Sequence, residues 1–227
     1  MSLTYYLRSP AQITHQQPPP ALGWPRKTAD TLLLDANSGF PDWVYLLRGI
    51  KGFIEVAGVP RDGPLAPVFA HSTHRFILRE EAEVTASAAH PALTDLEQII
   101  ARRPALDDGL RVIYATALAE LKKSFGQAEA LAGTQYEMID AFIWLFLVAE
   151  DLVPLLRAPK QEAVAIFAFF CVLLKKLDGQ WWMQGWGRQL IANAYELLDE
   201  DGRLWIHWAV QEMGWVPPSA VERSLVR

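Results

Sequence analysis

The 227-residue chain has one cysteine, Cys171, so no intrachain disulfide can form and no cysteine cluster can hold structural zinc. Basic residues are not in surplus either: 21 Lys and Arg against 26 Asp and Glu leave a net charge of −5, which argues against a nucleic-acid surface on this polypeptide. No apolar run reaches the ~20 residues needed to cross a bilayer. The longest, Ala163 to Leu174, reads as a buried helix. The N-terminus, Met1 to Arg8, lacks the charged-then-apolar design and small-residue cleavage site of a secretory signal. Together these absences predict an intracellular protein, with no membrane span and no direct contact with DNA. Strand-like alternation and internal repeats are missing as well, and with them the β classes.

Tryptophan, by contrast, is abundant. Six of nine lie between Trp181 and Trp215. Each indole can bury on the order of 150–250 Å², so the cluster predicts either a heavy aromatic core or the wall of a pocket for a bulky apolar molecule. A hydrophobic share of 51% is high for this length and implies a cavity, an oligomer interface or a missing partner segment.

Residues 1–40, with Pro18-Pro19-Pro20, Gly23 and Pro25, read as an extended arm or linker, and residues 218–227 as a tail. Between them, residues 41–217 read as a single all-α, bundle-like domain of about seven to eight helices. Trp43, Leu46, Leu47, Ile50, Phe53 and Ile54 predict a helix over 42–57. A short helical piece is expected at 65–69, then a polar surface stretch, His71-Ser72-Thr73-His74. Thr94 with Glu97 resembles a capping box opening a short helix that stops before Pro104. Asp107 and Asp108 head a long amphipathic helix through Phe125. Thr134 opens an apolar helix ending near Pro154 or the following turn, and residues 162–176 make a second central helix, with Glu162 early and Lys175-Lys176 late. Helices over 188–198 and 203–213 complete the pattern.

Several residues carry chemistry by type. His71 and His74 have a metal-like spacing but no third ligand of comparable spacing, so a polar surface role outweighs metal binding. Cys171 sits inside an apolar helix, where a thiol is inert. Arg188 and Arg203 fit ring stacking or pairing with Asp178 or Asp199 better than substrate contact. No catalytic constellation, phosphate loop or cofactor motif is present. Glu150-Asp151 and Asp199-Glu200-Asp201 could hold magnesium for a diphosphate substrate, the basis of an alternative reading as an enzyme that cyclises or rearranges a terpenoid or polyketide.

In order, Val172-Leu173-Leu174, Leu177-Asp178, Trp181-Trp182-Met183, Gly185-Trp186-Gly187, Tyr195, Leu198-Asp199, Arg203, Trp205-Ile206, Trp208 and Gly214-Trp215-Val216-Pro217 form a block of scarce residues. Leu46-Leu47-Arg48-Gly49 and Gly63-Pro64-Leu65 add a weaker match. This pattern resembles the C-terminal regulatory domain of fungal binuclear zinc cluster transcription factors of the sterol uptake control type. Gln184, His207 and Ala209 depart from it, where an acid, a base and a proline are expected. The resemblance implies an α-helical ligand-sensing domain in the nucleus or cytoplasm, in which a sterol or other lipid occupies an apolar cavity and controls transcription. The candidate binding residues are Trp181, Met183 and Trp186, faced by Phe167, Phe170 and Leu174 at helical spacing, with plain packing of the same rings as the competing reading. Trp144 and Phe146 are core or wall. A homo-oligomer is expected, and a homodimerising interaction protein without ligand is the third reading.

Overall fold

In a computed structural model, the described residues are 49, 51–54, 56, 58–85, 90–104, 106–131 and 136–217. Among them eight helices have defined bounds and no strand occurs, so the fold is all-α. The helices are α1 (Ala66–Thr85), α2 (Pro91–Ala101), α3 (Asp108–Ala130), α4 (Met138–Arg157), α5 (Gln161–Lys175), α6 (Trp186–Leu197), α7 (Glu200–Trp205) and α8 (His207–Met213). Residues 49, 51–54 and 56 are also helical, inside the expected 42–57 helix, whose remainder lies outside the described residues along with the arm and the tail.

Helix α5 is the axis. Every residue from Glu162 to Leu174 is buried, as a helix with apolar side chains on all faces demands. Helices α3, α4, α6, α7 and α8 pack around it, and α2 touches it from the α3 side. Helix α4 lies against α5 through Trp144, whose ring stacks on Phe170 at 4.7 Å while its indole N–H donates to the Ala117 carbonyl of α3 at 2.8 Å. One side chain thus fastens three helices and leaves no polar atom stranded.

Local chemistry sets the helix ends. The Asp107 carboxylate accepts from the Gly109 and Leu110 N–H groups at the start of α3, and Asp199 accepts from Gly202 at the start of α7. The Asp140 carboxylate reaches back to the Glu137 N–H at 2.7 Å to open α4. Gln161 ties the start of α5 to the end of α6, donating to the Leu197 carbonyl and accepting from the Asp199 N–H.

Three expectations change. His71 to His74 lie within the 20-residue α1, which also absorbs most of the short 65–69 piece. The sequence shows no apolar stripe here, because two of the inward positions, Arg75 and Arg79, are arginines. Helix α2 begins at Pro91 with His90 as N-cap, so Thr94 and Glu97 are interior; proline at the first helical turn supplies the pre-set φ and displaces the Thr94 start. The expected 203–213 helix is two, interrupted at Ile206 (φ −95°, ψ 7°), with the first opened three residues earlier by the Asp199 cap. The expected opening of α4 at Thr134 lies outside the described residues.

Gly187 shows how closely α6 approaches α5. A Cβ there would stand 2.7 Å from the Cys171 carbonyl oxygen and 3.3 Å from Leu174 Cβ. Gly187→Ala should therefore destabilise by about 1–2 kcal/mol, because an overpacking cost of about 1–3 kcal/mol exceeds the roughly 0.5–1 kcal/mol that alanine gains in a helix. Gly179→Ala, where a Cβ meets nothing within 4 Å, should stay within about 0.5 kcal/mol. Urea unfolding of both variants measures the contrast.

Candidate functional site

The turn that joins α5 to α6 is built by successive short-range hydrogen bonds. Gln180 N–H donates to Leu177, Met183 N–H to Gln180 and Trp186 N–H to Met183, all at 2.9–3.0 Å. The Asp178 carboxylate accepts from the Gly185 N–H at 3.0 Å, and Gly185 takes φ +76°, the left-handed conformation that glycine adopts without strain. This geometry turns Met183 inward and the adjacent indoles outward. Met183 is buried, Trp186 is partly buried against the core, and Trp181 is 74% exposed.

The six candidate binding residues are consequently divided. Phe167, Phe170, Leu174 and Met183 belong to the buried core, with Trp186 packed against it. Phe167 and Phe170 lie 5.5 Å apart, and Phe170 also meets Phe142 and Trp144 of α4. Leu174 instead faces Gly187. The helical face shared by the three α5 residues thus addresses α4 as well as α6. Trp181 lies on the surface in an edge-to-face pair with Trp182 at 5.5 Å.

The other tryptophans of the block pin separate places. Trp208 stacks on Phe169 at 5.3 Å and meets the tilted ring of His90 at 4.2 Å. Trp215 meets Tyr195, over which the Arg203 guanidinium sits at 4.7 Å. Trp205 carries Arg103 above its ring at 5.1 Å, and Arg103 pairs with buried Glu162 at 3.1 Å. Arg103, Pro104, Leu106 and Glu162 line a half-open recess of about 260 Å³. Burial, with a smaller contribution from Glu162, pushes the Tyr114 hydroxyl up to about 12. Cys171 is buried, its thiol donates to the Phe167 carbonyl, and burial raises it far from the reactive range.

A second polar assembly was invisible in the sequence. Arg75 (8% exposed) and Arg79 (0%) point inward from α1. Arg75 makes a two-pronged contact with Asp140 of α4, and Gln127 of α3 donates to both Asp140 and the Arg75 carbonyl at 3.0 Å. Arg79 reaches Ser124, Glu80 and Glu120, and Lys123 links Glu80 to Glu120. The hydrogen bond to Asp140 holds Arg75 above its ordinary value in spite of burial. Burial draws the Glu120 carboxyl upward, but Arg79 and Lys123 outweigh it and leave Glu120 below the usual range. His71 meets Glu137 at 2.7 Å rather than a metal partner. Arginines four residues apart in Arg75-Phe76-Ile77-Leu78-Arg79 were the available signal, but apart from the adjacent Glu80 their acceptors lie 41 to 65 residues away.

Two of the carboxylates considered for magnesium are otherwise engaged. Glu150 pairs with Lys51 at 2.8 Å, and Asp199 caps α7. Among the described residues, no three His, Cys, Asp or Glu side chains converge as a metal site would require.

No protein-family model matches the chain, and no solved structure does. Over 82 residues, 35% of its length, the chain is 29% identical to a Zn(2)-C6 fungal-type transcription factor of Gibberella zeae. That likeness to a fungal transcription factor is coarse and partial. The matched stretch spans 17% of that protein. Among the described residues, no helix is long and apolar enough to cross a membrane.

Two outcomes follow from the polar assembly. Asp140→Ala should cost about 3–5 kcal/mol in urea unfolding, since it takes from the buried Arg75 the carboxylate it contacts most closely and leaves Glu137 at 4.0 Å, while Arg75→Met with Asp140→Leu should recover much of that loss. Because the folded state depresses Glu120, its contribution is present above the ordinary glutamate value and disappears as the pH falls through its lowered value. Glu120→Gln should flatten the acid limb of stability, measured as the urea midpoint between about pH 6 and about pH 3.

Proposed function

We propose that the chain is the ligand-sensing regulatory domain of a fungal transcription regulator, or a stand-alone relative of one, and that it holds a sterol or other apolar metabolite between α5 and α6. The partial match to a Zn(2)-C6 transcription factor carries this reading. The organisation of the α5–α6 junction supports it. Helix α5 is anchored on its far side by Trp144 and Phe170, whereas α6 meets it through Gly187 and the adaptable side chains of Met183, Leu174 and Met213. Methionine repacks around irregular apolar surfaces at small cost.

An apolar guest would enter by parting α6 and the 176–185 turn from α5. Leu174 would form its inner wall and Met183 and Trp186 its outer one, with Phe167 and Phe170 behind it toward α4, while Trp181 would join only if the turn folds inward. Binding would favour the parted packing over the closed one by the difference in affinity between them. That displacement is the signal a regulatory domain transmits to a partner or to the rest of a longer protein, in the nucleus or cytoplasm.

A specific observation also favours self-association. Leu65, Val68, Phe76 and Ile77, on or beside α1, are exposed apolar side chains that a second copy would cover.

The test is organic extraction of the purified chain with mass spectrometry, together with titration by a fluorescent sterol. The expected result is an apolar molecule in the extract and saturable binding that Met183→Trp weakens at least about tenfold by overfilling the junction. Empty extracts combined with no saturable sterol binding would overturn the reading.

A further inference from the structure

The recess at the start of α5 is held open by its own framework. Arg111 of α3 donates to the Ala101, Arg103 and Leu106 carbonyls at 2.5–3.2 Å. One side chain thus fixes the α2–α3 connection, which supplies Arg103, Pro104 and Leu106 to the lining. Glu162, in the first turn of α5, joins them. A site whose walls are already placed loses little freedom when a guest arrives.

The two charged members of the lining are only half used. Arg103 donates through Nε to Glu162 Oε1 at 3.1 Å and lays its guanidinium over the Trp205 ring at 5.1 Å. Among the described residues, no hydrogen bond leaves its two terminal nitrogens and none reaches Glu162 Oε2. Yet Glu162 is only 7% exposed. A buried carboxylate is costly unless its remaining lone pairs are satisfied, so the free oxygen calls for a donor. Tyr114 of α3 points the same way. It is fully buried, its hydroxyl has no hydrogen-bond partner among the described residues, and burial and, to a smaller degree, the Glu162 charge raise it.

Size and charge define the guest. At about 260 Å³ the recess falls below the roughly 300–1,000 Å³ of pockets that take drug-sized molecules, so it suits a small metabolite and not a sterol. Its free guanidinium and carboxylate edges belong to groups already in contact, so a guest meets both charges side by side. A lone cation drawn to Glu162 is set against Arg103, and a lone anion drawn to Arg103 is set against Glu162. A zwitterion answers both. An α-amino acid carries its ammonium and carboxylate on one carbon, the spacing that a touching Arg–Glu pair offers, and a carboxylate fits the planar guanidinium edge. Pro104 and Leu106 leave apolar walls for a side chain.

We infer that this recess binds a free α-amino acid with a small apolar side chain. The ammonium donates to Glu162 Oε2, the carboxylate accepts from the terminal nitrogens of Arg103, and the side chain lies against Pro104 and Leu106. Stacking on Trp205 and the bond to Glu162 already orient Arg103, so its side chain has little rotamer freedom left to lose. Glu162 stands at the start of α5, whereas the junction proposed for an apolar guest lies at its end. The two sites are separate, and either can fail alone.

The experiment is calorimetric titration of the full chain with L-valine and three comparators. Valinamide lacks the carboxylate, isovalerate lacks the ammonium, and L-glutamate sets a second carboxylate against the apolar walls. The expected result is saturable binding of L-valine, with each comparator at least about tenfold weaker. Glu162→Gln keeps the shape and an acceptor for Arg103 but removes the charge, and should bring L-valine down to the level of isovalerate. Arg103→Met removes the guanidinium edge and should bring it down to the level of valinamide. Circular dichroism and the urea midpoint report whether each variant is folded, and Glu162→Gln decides alone if Arg103→Met is not. No saturable binding of L-valine up to about 10 mM, equal binding of all four compounds, or undiminished L-valine binding by a folded variant would overturn the inference.

Discussion

The structure depends on a helix with no outside. From Glu162 to Leu174 α5 is buried on all faces, and a helix in that position must be enclosed by neighbours whose inward surfaces match it. Its contacts differ by side. Toward α4 they are ring on ring, with Trp144 locked by a hydrogen bond to Ala117. Toward α6 they rest on a glycine that lets two backbones come close. Hydrogen bonds accompany both: Trp144 of α4 donates to Ala117 of α3, and Gln161 of α5 donates to Leu197 of α6.

Helix α1 is attached on different terms. Its inward residues are arginines, so its seat on α3 and α4 is a charged and hydrogen-bonded assembly centred on Asp140 and Glu120. Such assemblies contribute little net stability over a well-packed apolar contact, but they tolerate little misplacement, because each unpaired member is costly. Arg75 meets its acceptor only if α1 is in register with the start of α4, where Asp140 also holds the Glu137 N–H. One carboxylate thus sets both where α4 begins and where α1 lies. The tryptophans of the C-terminal block act similarly as separate fasteners: Trp208 binds α8 to Phe169 of α5, Trp215 meets Tyr195 of α6, and Trp205 receives Arg103 from the end of α2.

Much of this was legible in order and kind. The all-α class, the long α3 headed by Asp107, the two apolar helices α4 and α5, and the inert Cys171 all follow from short-range rules of periodicity, capping and burial, which sequence displays directly. The candidate binding set was legible as apolar and aromatic but not as a site. A helix that is apolar all round gives no face to its periodicity, so Phe167 and Phe170 could not be assigned to α4 or to the tryptophan turn. Nor could spacing separate Trp181 from Met183, since the turn that sends one out and the other in rests on Gly185 at positive φ and on the Asp178 cap. His71–His74 lie at the surface as expected, but the helix that carries them shows no apolar stripe, because two inward arginines look like surface charge until Asp140 and Glu120 arrive opposite them.

By itself, then, the sequence determined which segments coil and which of them must be buried, because helical period and apolar content are properties of neighbours along the chain. The tertiary structure decided which way each described ring points and which charges are enclosed. Those outcomes depend on partners dozens of residues distant, and only the folded chain brings them within the few ångströms over which packing and hydrogen bonding act.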